Sequence, residues 1–172
     1  MKRFYSAVLL VIVVISCSNA ALAWKRVRLE SAGTISIPQS WNVLAGNPDV
    51  VENAYGPGVS YRNLLNAEGD NATMTVLVYW PYSANIAKTF ASDMAETLQK
   101  RYGSSSRPRF SEMKRGTFRA SSVTYGIGNG NDQKVTAFVN DGKVYCLIIS
   151  YRHSEEHTFY NFVRSIITRW QF

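Results

Sequence analysis

The stretch Gln133–Tyr151, QKVTAFVNDGKVYCLIISY, constrains the fold more than any other part of the chain. Asp141-Gly142 signals a two-residue hairpin turn, whose central positions need positive φ that Asp and Gly tolerate. On the second arm, Val144–Tyr151, both alternating sets of side chains are largely apolar. A strand with one wet face alternates between apolar and polar residues. A strand apolar on both faces belongs at the centre of a sheet covered on both sides. The chain must therefore supply neighbouring strands and two covering layers.

The neighbours are readable in the same way. KRVRLE and GTISIP form two short strands around Ser31–Gly33, the second ended by Pro38. Residues 45–58 are rich in Gly, Pro and Asn and read mainly as loop. VSYRNLLNA and ATMTVLVYW are strands, the latter with Met74, Val76, Val78 and Trp80 on one face. FSEMKRGTFR and ASSVTYGIG read as further strands.

Two helices are expected. The first spans Ala84–Tyr102, capped by Ser83, with Ile86, Phe90, Met94 and Leu98 recurring every fourth residue. The second spans Glu155–Arg169, with Phe159, Phe162, Val163, Ile166, Ile167 and Trp170 on one stripe. Strands joined by short turns pair antiparallel. The expected class is α+β, a mainly antiparallel sheet with helices packed on both faces.

The N-terminus addresses the protein's destination. Lys2 and Arg3 precede an uncharged apolar run from Phe4 to Ile15, and small residues follow, with an A-x-A site ending at Ala23. That is the build of an export signal cleaved between Ala23 and Trp24. The run is shorter than the roughly 20 apolar residues of a spanning helix. A second exit competes, because VISC, Val14–Cys17, resembles a bacterial lipobox in which Cys17 would be lipidated. The expected organisation is a signal peptide over residues 1–23 and one domain over 24–172.

Export removes Lys2 and Arg3 from 19 basic residues and leaves all 12 acidic ones, a mildly basic balance. This suits an anionic surface or acidic partner without demanding one, and cellular nucleic acid is excluded as a target by the compartment. With Cys17 processed, Cys146 stands alone in an apolar strand and reads as a core thiol, not a nucleophile.

A family resemblance rests on particular residues. Ile37, Pro38 and Trp41 form an I-P-x-x-W-like opening, and Gly142, Tyr145 and Leu147 form a small turn before a Tyr-Leu-like strand. With a mid-chain helix and a terminal helix ending IITRWQF, the chain resembles the PsbP-like group, whose bacterial relatives include DcrB-like envelope proteins. The resemblance covers most of residues 33–172. It implies a central antiparallel sheet with helices on both faces and a non-catalytic accessory or binding role. It carries over no site residue and implies no cofactor.

Catalytic motifs are few. His153–His157, HSEEH, fits the H-x-x-E-H pattern of one class of zinc peptidase and contains both histidines. Such sites need both histidines on one helix face and a third ligand. Ser154 reads as the helix N-cap, which leaves His153 outside the helix, and no acid, His or Cys follows His157. A minimal zinc hydrolase using His153, Glu156 and His157 is the weakest of the readings. No G-x-S-x-G elbow occurs, and the glycine-rich Gly126–Gly130 lacks the lysine of a phosphate loop. The basic residues Arg107, Arg109, Lys114, Arg115 and Arg119 are a candidate anionic-partner patch. The expected function is a small exported envelope protein, periplasmic or lipid-anchored, that binds a protein partner or ligand. The alternative is a membrane-surface lipoprotein held through Cys17. No catalytic or metal residue is assigned.

Overall fold

In the computed structural model the Gln133–Tyr151 hairpin does lie at the centre of the sheet. Residues 23–30, 32–47, 49–52, 59–69, 71–80, 96, 100, 107–115, 118–141 and 143–172 are described. The leader and Cys17 fall outside them. So does the expected Ala84–Tyr102 helix, apart from Glu96 and Lys100, which are helical, exposed and joined by an i,i+4 ion pair of 2.6 Å.

Ten strands are described: β1 (Trp24–Leu29), β2 (Gly33–Pro38), β3 (Asn42–Ala45), β4 (Val50–Val51), β5 (Ser60–Gly69), β6 (Ala72–Trp80), β7 (Arg109–Arg115), β8 (Phe118–Gly128), β9 (Asn131–Asn140) and β10 (Lys143–Arg152). β1 and β2 form a hairpin of their own. The rest form one antiparallel sheet in the order β3-β5-β6-β10-β9-β8-β7, with β4 beside β5. β10 lies between β6 and β9, as its two apolar faces require. Its hairpin turn closes with Lys143 opposite Asn140, and Asp141 takes φ 48°, the left-handed conformation the Asp-Gly pair supplies.

One face of the sheet carries the main core. Met74, Val76 and Val78 of β6, Tyr145, Leu147 and Ile149 of β10, and Phe138 of β9 pack there with Ile35, Ile37 and Trp41 and with the terminal helix, Glu156–Arg169. The helix buries Phe159, Phe162, Val163, Ile166 and Ile167, the stripe read from its spacing. Rings dominate this layer. Phe162 lies 5.8 Å from Trp24, 5.0 Å from Trp41 and 5.6 Å from Phe159, within the range where aromatic pairs attract beyond their buried area. The C-terminus is then tied to β2: Thr34 and Gln171 exchange backbone hydrogen bonds of 2.6 and 2.9 Å, and Trp170 Nε1 donates to Ala32 O at 2.7 Å. The other face buries Leu77, Tyr79, Val123, Tyr125, Val135, Ala137, Val144 and Cys146.

The expectation of helices packed on both faces is corrected here. The protein is mostly antiparallel strand, and among the described residues a single helix packs, on one face, beside the β1–β2 hairpin. The physical reason is that a doubly apolar strand reports burial on both sides and says nothing of what provides it. Part of the cover on the helix side is a strand hairpin. On the other side the sheet's own rings contribute, Tyr61 and Tyr79 lying 5.4 Å apart. The helix start also differs. His153–Glu155 form a 3-10 turn, and no side chain caps it, so Ser154 is not the N-cap.

Candidate functional site

Between the terminal helix and the β7–β9 end of the sheet lies a polar cluster. Strand register builds it. On the helix-facing side, Arg109 lies opposite Thr124, and Ser111 opposite Ser122. Thr124 lies opposite Lys134, and Ser122 opposite Thr136, with a hydroxyl–hydroxyl bond of 2.8 Å. Asp132 pairs with Gly126 on one side and Tyr151 on the other. The β8–β9 turn uses three left-handed residues, Gly128, Asn129 and Gly130, so Asp132 enters β9 pointing under the helix start. His153 is brought over it because its backbone N–H donates to Gly130 O at 2.9 Å.

Asp132 is the centre. Its side chain is 7% exposed, and one oxygen, Oδ2, accepts from Arg109 Nη2 at 3.0 Å and meets His153 Nδ1 at 2.8 Å. The same Arg109 nitrogen reaches Glu156 Oε1 at 2.8 Å. One guanidinium thus bridges two carboxylates from a strand and a helix. Burial works against the charged form of Arg109, but Asp132 and Glu156 outweigh it and hold the guanidinium firmly protonated. Lys134 lies deeper. Its ammonium is 3.4 Å from Ser111 Oγ and 3.5 Å from Thr124 Oγ1, and 5.2 Å from the centroid of the Tyr160 ring. Burial pulls its pKa down; Glu156 opposes this and Arg109 adds to it. Tyr151, against Asp132, is pushed up to about 12, by burial first and then by the two carboxylates.

Asp132, His153 and Glu156 each offer one ligand atom, all within 4.8 Å of one another. The HSEEH stretch therefore does contribute two of three groups that converge, while exposed His157 is not among them. Sequence reading missed Asp132, because only the strand register carries it under His153. The donor set does not favour a cation, however. Arg109 already holds both carboxylates at hydrogen-bond distance, in the place a metal ion would take, and a metal would have to displace it. The arrangement fits an internal ion-pair clamp between helix and sheet.

The basic residues named from sequence do not form one surface. Arg109 is drawn into the clamp. Lys114 and Arg119 are cross-strand partners and both exposed, with Lys114 paired to Glu112 at 3.0 Å. Arg115 ends β7, paired with Phe118, and Arg107 lies before β7 with φ 34°. Ala23 and Trp24 sit at the start of β1. Cys146 is fully buried, and burial pushes its thiol far up, so no thiolate forms there. A separate open cleft of about 540 Å³ lies near the β5–β6 and β8–β9 turns; Asn42, Glu68, Asn71, Asn131 and Ser150 are among its lining. Its amides, hydroxyls and the Glu68 carboxylate can bind by hydrogen bonds.

No family model matches the chain, and no curated protein matches it. Among solved structures, the solution structure of cyanobacterial PsbP (CyanoP) from Synechocystis sp. PCC 6803 is similar, with a TM-score of 0.56 over 90% of this chain and 96% of that one. The fold is PsbP-like. At 11% identity the likeness shows the fold alone. It does not reach a DcrB-like subgroup. Among the described residues no helix is long and apolar enough to cross a membrane. The clamp is thus placed on a PsbP-like sheet, at the junction of its terminal helix with β7 and β9.

Proposed function

We propose that this chain is an exported, non-catalytic accessory module of a bacterial cell envelope, binding a protein partner or a small ligand. One observation carries the reading: the groups best suited to chemistry are spent on each other. Asp132 and Glu156 share Arg109, and Lys134 and Cys146 are buried. The PsbP-like fold supports it as a fold that accessory proteins use, and DcrB-like envelope proteins are the expected relatives.

The surface best suited to a partner is the β3–β4 edge. Val43, Leu44, Val50 and Val51 are all exposed there, and β3 contains no charge or proline to discourage a new strand. The test is recovery of partners from the envelope fraction with the processed protein and with a Leu44→Lys, Val51→Lys variant. A partner captured by the first and lost by the second supports the reading. Turnover of any ester, peptide or glycoside substrate by the purified protein overturns it. The lipoprotein form is tested separately: labelled fatty acid that still incorporates in Cys17→Ala excludes anchoring at Cys17.

A further inference from the structure

The basic surface of this molecule lies away from the β7–β8 strands. β1 contributes Lys25, Arg26 and Arg28, and the second half of the terminal helix contributes Arg164 and Arg169. No Asp or Glu occurs from Ala23 to Leu29 or from His157 to Phe172. Among the described residues none of these five cations makes an ion pair, whereas Arg62, Lys100, Arg109 and Lys114 all do. The fold places β1 and the helix end side by side, because Thr34 of β2 bridges to Gln171. Two acid-free segments, distant in sequence, thereby meet on one side of the protein at Arg26 and Arg169, while Lys25 alternates to the other face of β1 and its Nζ donates to Trp41 O.

That side contains a built cleft. A cavity of about 420 Å³ is lined by Trp24, Arg26, Ser36, Thr168, Arg169 and Gln171. Two guanidiniums, the Ser36 hydroxyl and the Gln171 amide line it, with no carboxylate, and Thr168 lines it with its own hydroxyl donated to Ser165 O at 3.2 Å. Arg169 is oriented within it: its guanidinium carbon lies 4.8 Å from the Trp24 ring centroid, and that indole lies 5.8 Å from Phe162 in a stacked pair. A guanidinium laid on an indole keeps the edges that carry its N–H groups free to fork onto oxygens. Arg169 also sits in the last helical turn, where a cation complements the dipole. That role accounts for Arg169 alone and not for Arg26, Ser36 and the cleft between them.

We propose that this cleft binds a phosphate group, and that its occupant is the headgroup of an anionic phospholipid. A pair of guanidiniums beside the Ser36 hydroxyl matches the tetrahedral oxyanion. The membrane is favoured over a free phosphate by the positive charge around the cleft, on a strand that follows the expected export leader in sequence. Exposed Arg28, two residues beyond Arg26 on β1, would add to attraction by an anionic surface. The inference shares the export reading above but does not need the protein partner.

The test uses the full chain with vesicles of phosphatidylcholine, alone or mixed with phosphatidylglycerol. The phosphatidylcholine baseline carries the apolar contribution of the leader, and the charge of Lys2 and Arg3 is common to every variant. Addition of phosphatidylglycerol should strengthen binding in a salt-sensitive way. Arg26→Gln with Arg169→Gln should remove about fivefold of that gain for each arginine, leaving the baseline unchanged. Lys114→Gln with Arg119→Gln removes the same charge elsewhere and should lose far less. Equal losses in the two double variants, or no gain with phosphatidylglycerol, overturn the proposal. Saturable binding of inorganic phosphate that anionic vesicles do not compete would assign the cleft to a free phosphate and overturn the lipid assignment. Unchanged melting of the Arg26→Gln, Arg169→Gln protein confirms that its loss is not unfolding.

Discussion

Asp132 sets the energetics of the polar cluster, and the two ends of its ion pair are not equivalent. Arg109→Ala strands a carboxylate that is 7% exposed with only the His153 ring beside it, whereas Asp132→Asn frees an arginine that is 47% exposed and keeps Glu156. Arg109→Ala should therefore cost about 2–3 kcal/mol and Asp132→Asn about 1, read from urea unfolding of both variants. The reverse order would mean that Asp132 is solvated in the native state. Titration gives a second expectation. Tyr151 is raised from 10.0 to about 12, so the native state keeps a proton that the unfolded state loses. The stability this contributes is complete below pH 10 and is lost as pH rises towards about 12. Tyr151→Phe should flatten that part of the stability curve. Lys134 has the opposite sign. Its pKa is lowered from 10.5, so stability rises with pH in the window just below that value, and Lys134→Met should abolish the rise. At this scale the sequence was half legible. His153 and Glu156 stand together in one motif, but Asp132 lies 21 residues upstream of His153 and joins it only through register.

At the scale of the element, strand assignments and the terminal stripe were legible because period-2 and period-3.6 patterns are direct records of burial. The helix start was not. Ser154 has the chemistry of a cap, but the His153 amide is held by Gly130 and its ring by Asp132, and residues 153–155 tighten into a 3-10 turn instead. β3 was missed because its four exposed residues carry no periodic signal, and its place is set by its antiparallel pairing with β5. The docking of the C-terminus on β2 was equally invisible. It depends on Gly33, at φ +77°, where an added Cβ would lie 1.9 Å from Gln171 O. Gly33→Ala should cost more than about 2 kcal/mol through strain and loss of this docking. Trp170 fluorescence, together with the unfolding midpoint, would report it. A variant as stable as the parent would show that the C-terminal bridge is dispensable.

For the whole molecule, the same topology that makes the sheet central also orders its assembly. β9 and β10 meet across the two-residue Asp141-Gly142 turn, so their contacts close a short loop. β6 reaches β10 only across the long segment between Trp80 and Lys143, and β1–β2 reach the terminal helix across nearly the full chain. Loop closure must precede the reward of distant contacts, so the hairpin is the natural nucleus and helix docking the late step. This separates two buried core positions. Leu147→Ala in β10 should slow refolding, whereas Ile166→Ala in the terminal helix should chiefly accelerate unfolding. Both side chains are fully buried, so each change should cost about 2–5 kcal/mol at equilibrium, enough to divide reliably between the two rates. Stopped-flow chevrons decide the matter. If Ile166→Ala slowed refolding as much as Leu147→Ala, the helix would be part of the nucleus and the hairpin-first order would be wrong.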